Sequence, residues 1–305
     1  MQAREAELLN VSYFHVVFTL PQELNKLALY TPKHLYSTLF ATAWEVINGF
    51  GKNHKFLGAQ IGMIAILHTW GQNLSLHPHL HCIVPGGGLT KNGKWKNAKG
   101  KGNPGCRKAR YLFPVKAMSK VFRAKMVAAL RKQPTQATGF YEQLFSKNWV
   151  VYCKQPFYGP AQVVEYLGRY THKIAISNHR LKSLDKGVAF LMKDYRNGGM
   201  KTTMTLSDQE FIRRFAMHIL PKGFVRIRHY GILSSCRKKE IIPVLQAQLG
   251  NVQTPQKQET KHRRCPSCKK GTLVTLLTFD SRGPPENWKP EMKQTKQLKT
   301  TPKKA

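Results

Sequence analysis

His77-Pro78-His79-Leu80-His81, followed directly by Cys82-Ile83-Val84-Pro85-Gly86-Gly87-Gly88, sets imidazoles at alternating positions of a stretch that reads as a β-strand. Residues i and i+2 of a strand share a face, so His79 and His81 point one way and Leu80 the other. Two imidazoles held side by side outline a metal site, because neutral imidazole is the commonest side-chain ligand for borderline cations. A rigid strand leaves coordination positions open for a third ligand and a substrate. A polar strand face with a chance run of histidines is the competing reading, and the histidines alone do not separate the two.

The flanking sequence supplies the frame. Ser12 to Leu20 (SYFHVVFTL) is β-branched and aromatic and stops at Pro21, which predicts a first strand. Pro32 to Phe50 carries helical apolar spacing through Leu35, Leu39, Trp44 and Ile47, with Gly51 as the stop. Ile61 to Trp70 is a second strand, and the Gly71 to Leu76 loop turns it into the histidine strand as an antiparallel hairpin. Further on, Lys116 to Lys132 reads as a helix, Trp149 to Lys154 as a strand, and Gly159-Pro160 as the entry to a helix over Ala161 to Tyr170. Strands are expected at Ile174 to Ser177, Val188 to Tyr195 and Thr202 to Leu206. Ser207 and Asp208 then cap a helix to Leu220, and Phe224 to Tyr230 alternates apolar and basic as a last strand. The order describes an α+β fold on a small antiparallel sheet.

Fifty Lys and Arg against fifteen Asp and Glu give a net charge of +35, which calls for a polyanionic partner. The basic residues are spread along the chain and interleaved with aromatics, which favours nucleic acid over a membrane surface. No apolar run is long enough to span a bilayer, and Met1 to Asn10 has no apolar signal core, so a cytoplasmic, nucleoid-associated protein is expected. Lys91 to Arg110 is rich in Gly, Asn and Lys. It reads either as a solvated loop or as a phosphate-contacting loop in which Lys94 works beside a stacking Trp95. Arg226 and Arg228 on the last strand are further candidates for DNA contacts.

A second constellation lies in Tyr166-Leu167-Gly168-Arg169-Tyr170, where two tyrosines at i and i+4 share one helix face. Two phenols side by side suggest paired nucleophiles, and core packing of an aromatic pair is the alternative. A phenol with a pKa of about 10 needs a nearby cation or a metal-polarised electrophile to attack. Arg169, His172 and Lys173 supply positive charge.

His79-Leu80-His81 within HPHLHCIVPGGG, and Tyr166 with Tyr170 within EYLGRYTHKIAISNHR, closely resemble the HUH-type two-tyrosine transposases of the insertion-sequence-91 type. SYFHVVFTLP, FLMKDYRNGG and EFIRRFAMHILPKGFVRIRHYG agree, so the resemblance runs from about Leu8 to about Leu233. It implies an HUH endonuclease-like fold in which His79 and His81 hold Mg²⁺ or Mn²⁺ against a scissile phosphate of single-stranded DNA. Tyr166 or Tyr170 would then attack, leaving a 5′-phosphotyrosine and a free 3′-hydroxyl. The covalent link conserves the bond energy for rejoining, and a second tyrosine allows a second cleavage. The partners implied are single-stranded transposon ends and target DNA in rolling-circle-like transposition.

By analogy with other HUH enzymes Gln162, on the tyrosine face, is the first choice for a third metal ligand, with His77, Gln72, His68 and Glu165 as alternatives. Members of the family commonly begin with a cysteine- and histidine-rich zinc module, whereas here only a few residues precede Leu8. The expected layout is a short N-terminal remnant at 1–10, a nuclease domain at 11–235, a helix at 236–250 and a basic tail at 251–305. The tail is expected to be largely disordered outside Cys265 to Phe279. Within it Cys265-Pro266-Ser267-Cys268 is half of a zinc knuckle, which would need two further ligands to hold Zn²⁺. Three other functions stay open: a rolling-circle replication initiator or relaxase, a catalytically inactive DNA-binding remnant, and a zinc hydrolase. The last leaves the charge and the tyrosine pair unexplained.

Overall fold

The computed structural model describes residues 8–98, 112–132, 136–157, 175–194, 197–250, 263–264 and 272–273. The chain forms two compact units, Met1–Thr254 and Pro255–Ala305. At the centre of the first is a five-stranded sheet containing β1 (Tyr13–Thr19), β2 (Gly62–Trp70), β3 (Leu76–Pro85), β6 (Val151–Phe157) and β10 (Ile227–Gly231). Its order is β10-β2-β3-β1-β6 with antiparallel neighbours throughout, which bears out the α+β expectation. The histidine strand β3 occupies the middle.

The register sorts the side chains of this sheet into two faces. Val16, Cys82 and Ala65 are in register on one face, as are Phe18, Leu80 and Leu67. This face is apolar because two helices cover it, α2 (Pro32–Lys52) and α3 (Val115–Arg131), preceded in the chain by the short α1 (Asn25–Tyr30). Leu35, Leu39, Phe40, Val46 and Ile47 of α2 and Met118, Phe122 and Met126 of α3 are fully or almost fully buried against it. Their spacing is the 3–4 residue repeat of one helix face, and each such side chain contributes about 1.5–3 kcal/mol on leaving water. The helix α4 (Thr138–Ser146) closes this layer through Tyr141 and Leu144.

The opposite face is divided. At one end Tyr13, Ile64 and Ile83 are covered by Leu8, Leu9 and the helix α6 (Lys238–Leu249), whose Ile242 and Leu245 are buried there. At the other end the same face carries His68, His79 and His81. Beside β3, the two-strand pair β4 (Gly87–Leu89) and β5 (Trp95–Asn97) explains the glycine run. A Cβ on Gly87 would lie 2.6 Å from the Trp95 ring, and one on Gly88 2.5 Å from the Gln60 carbonyl oxygen. Only glycine lets the backbones approach this closely.

A smaller sheet, β7 (Leu181–Ser183), β8 (Val188–Asp194) and β9 (Met200–Leu206), packs with α5 (Asp208–Ala216) around Phe190. It is anchored on the tip of the β2–β3 hairpin. Leu74 of the tip is fully buried in its core, and Arg180 and Arg214 donate to the carbonyls of Gln72 and Asn73. His218 is buried with Nε2 3.1 Å from the Leu74 carbonyl, so that nitrogen donates, and Nδ1 lies 3.1 Å from the Thr69 hydroxyl. Ser207 caps α5 by accepting from the Glu210 amide.

Three sequence expectations are corrected. Residues 175–177 form no strand, because Ala175 turns the chain with φ of +50° and buries its methyl in the small core. The helix expected to reach Leu220 ends at Ala216, where His218 is drawn to the hairpin and Pro221 disfavours helix at Leu220. The last strand begins at Ile227 rather than Phe224, whose ring instead packs on Tyr36 and Phe40. In the second unit β11 (Arg263–Arg264) pairs antiparallel with β12 (Thr272–Leu273). Among the described residues no helix is long and apolar enough to cross a membrane.

Candidate metal centre

The centre is built by the β2–β3 hairpin. Its register sets His68 opposite His79 and Ile66 opposite His81, so that three imidazoles meet on one face. One ring nitrogen of each lies within 4.8 Å of the others. A slip of one residue would turn the histidines of one strand into the helical layer. The register changes between His68 and Trp70, and this bulge aims His68. The Trp70 ring stacks on His68 at 4.6 Å between centroids and 16° between planes, and Arg226 lies over Trp70 at 5.3 Å.

Hydrogen bonds fix the lone pairs. Nδ1 of His79 is 2.6 Å from the His77 carbonyl, an acceptor, so the proton is on Nδ1 and the Nε2 lone pair is bare. That bare nitrogen is 3.1 Å from Nε2 of His81. It therefore takes either a proton from His81 or a share in a cation between the two rings. Nδ1 of His81 in turn lies 2.8 Å from Nε2 of His15, a buried residue on β1. Burial lowers the pKa of His79 to about 4 and pushes that of His81 further down, helped by the neighbouring imidazoles. Both rings are thus neutral near pH 7, the form that ligates. Three imidazole nitrogens at this separation fit a borderline divalent cation.

Of the sequence-predicted residues, His79 and His81 come together as expected, and His68, one alternative for the third ligand, joins them. His77 is exposed and offers its carbonyl to His79. Gln162, Glu165, Tyr166, Arg169, Tyr170 and Lys173 lie outside the described residues, as do Cys265 and Cys268. Lys94 is exposed, whereas Trp95 sits against Gly87, with its indole N–H donating to Asn97. Arg226 donates to the Leu67 carbonyl, and Arg228 is held over the Phe40 ring at 4.4 Å and the Phe224 ring at 5.1 Å. Both guanidiniums are therefore engaged within the fold. His15 and Trp70 were missed by sequence reasoning. A histidine inside an otherwise apolar strand was the available signal for the first.

Comparison with known proteins agrees with the motifs. A family described as "Putative transposase" (Y2_Tnp) matches residues 62–240, which include both histidine strands. The putative transposase y4qJ of Sinorhizobium fredii is 39% identical over 94% of this chain and 79% of its own length. The transposase for insertion sequence element IS801 of Pseudomonas savastanoi pv. phaseolicola is 29% identical over 72% of this chain and 54% of its own. Among solved structures, the conjugative relaxase TrwC in complex with oriT DNA, in its metal-bound form, is similar at a TM-score of 0.31. Identity there is 10%, covering 78% of this chain and 72% of that one, a likeness too loose to bear on the site. Together the match over residues 62–240 and the identity to y4qJ place the sequence, and the chain belongs to the Y2_Tnp transposase family.

Proposed function

We propose that this transposase nicks and rejoins single-stranded DNA at a centre in which His68, His79 and His81 hold a divalent cation. The observation that carries the reading is the bare Nε2 of His79 facing Nε2 of His81 at 3.1 Å, with His68 closing the set. A bound Mg²⁺ or Mn²⁺ would polarise the scissile phosphate and offset charge developing on it. The chain's own groups do the rest. The β2–β3 hairpin fixes the rings, and burial keeps those of His79 and His81 neutral near pH 7.

The nucleophile in this proposal is Tyr166 or Tyr170. Attack of its phenolic oxygen on phosphorus breaks the phosphorus–O3′ bond, leaving a 5′-phosphotyrosine and a 3′-hydroxyl. Reversal of the step rejoins strands without a nucleotide cofactor. His68 takes the place of Gln162 as the favoured third ligand. Positive charge from Arg169, Lys173, Lys94 and the rest of the basic chain would hold the DNA backbone, so affinity should fall steeply with salt. At the C-terminus Cys265 and Cys268 stand between the paired strands β11 and β12 in sequence, the setting of a knuckle for Zn²⁺.

The test is incubation with labelled single-stranded DNA carrying the element's end and Mn²⁺, followed by denaturing electrophoresis. A protein–DNA adduct is expected, lost in the Tyr166→Phe, Tyr170→Phe double variant and with EDTA. Absence of an adduct on the correct end sequence refutes the nickase reading.

A further inference from the structure

We propose that His15 is a positioning residue that fixes the tautomer and aim of His81 for cation binding, an inference that rests on the metal reading above. His15 lies on β1, next to β3 in the sheet, and is 6% exposed. Its Nε2 is 2.8 Å from Nδ1 of His81, with the rings only 12° from parallel and their centroids 5.0 Å apart. Nearly parallel rings at hydrogen-bond distance give a bond along the nitrogen lone pairs, so the contact is directional rather than mere packing.

The proton logic gives that bond a task. His81 ligates through Nε2, the nitrogen beside His79, only if its proton is on Nδ1. That proton then needs an acceptor, and Nε2 of His15 is the atom in place. His79 is fixed the same way by the His77 carbonyl, so both strand ligands have a partner on the nitrogen remote from the cation. Such partners orient the ring and raise its basicity as a ligand. The two partners differ in kind. A carbonyl only accepts, whereas an imidazole either accepts or donates. With no cation, His15 donates to His81 and His81 donates to His79, completing a chain of hydrogen bonds that ends on the His77 carbonyl. Ligation of a cation through Nε2 would require the proton of His81 to stand on Nδ1, where Nε2 of His15 is placed to accept it.

The experiment uses the full chain and Mn²⁺ alone, titrated calorimetrically. His15→Phe, which preserves the ring but cannot accept, should weaken Mn²⁺ binding by about 10–100-fold, and His15→Gln, whose amide oxygen accepts, should recover most of it. Thermal unfolding without metal reports whether each variant is folded. Folded His15→Phe that binds Mn²⁺ within about threefold of the wild type overturns the proposal. Should that variant fail to fold, nitrogen-15 spectra of the wild-type histidines with diamagnetic Zn²⁺ decide. A proton on Nδ1 of His81 supports the assignment and one on Nε2 overturns it. Wild type that binds no Mn²⁺ at the three histidines overturns this proposal together with the metal reading, whereas equal binding by wild type and His15→Phe overturns this proposal alone.

Discussion

The two faces of the histidine strand are made from adjacent residues and serve opposite ends. Leu80, Cys82 and Val84 are fully buried under α2 and α3, while His79 and His81, their neighbours in sequence, stand with His68 on the face that the helices leave. One face is closed by apolar contacts and holds the fold together. The other is apolar only where α6 covers it, and elsewhere offers nitrogen lone pairs. The contrast teaches that strand periodicity can separate stability from chemistry at a spacing of one residue.

Substitutions on the two faces should therefore fail differently. Leu80→Ala, on the closed face, should cost about 2–5 kcal/mol in urea unfolding, because the helices cannot collapse onto the cavity. His68→Phe, which keeps a ring in the buried site on Trp70 but removes the nitrogens, should leave the unfolding midpoint much less affected and yet lower Mn²⁺ affinity by more than the roughly 10–100-fold typical of losing an outer partner. Equal destabilisation by the two would break the comparison.

Acid sharpens it. His79 is lowered from 6.5 to about 4 by burial, so its native form takes up a proton less readily than the unfolded chain does. Its contribution to stability is present above pH 6.5 and is lost as pH falls from there through about 4. His218, also lowered by burial, adds to the loss with the same sign. A stability–pH profile should thus decline below pH 6.5, and less steeply in His218→Gln; a flat profile would contradict the burial described.

Smaller effects lie away from both faces. Ser207→Ala removes the α5 cap and should cost about 1 kcal/mol by thermal unfolding. Lys125→Ala breaks an exposed pair with Glu45 and should cost less than about 1 kcal/mol.

Much of this arrangement was legible in the sequence. Alternation in HPHLHCIV placed His79 and His81 on one face, and the apolar repeat from Leu35 to Ile47 marked the helix covering the other. The order of strands and helices also announced an α+β fold. The third histidine was harder to assign. Counting outward from the Gly71 to Ser75 loop, with Trp70 opposite Leu76, puts His68 opposite Pro78 and on the wrong face; the bulge shifts it by one residue to meet His79. His15 was hidden for another reason, since its partner is 66 residues away across a strand pairing that local pattern does not encode. The Ala175 turn likewise depends on the small core beside it, and no local signal opposed a strand there.

The claim that the histidine face holds a cation is tested most directly by anomalous diffraction from crystals of the full chain soaked in Mn²⁺. The account predicts an anomalous peak bonded to Nε2 of His79, Nε2 of His81 and a ring nitrogen of His68. An ion bound elsewhere, with these three nitrogens joined only to one another and to protein groups, would contradict it.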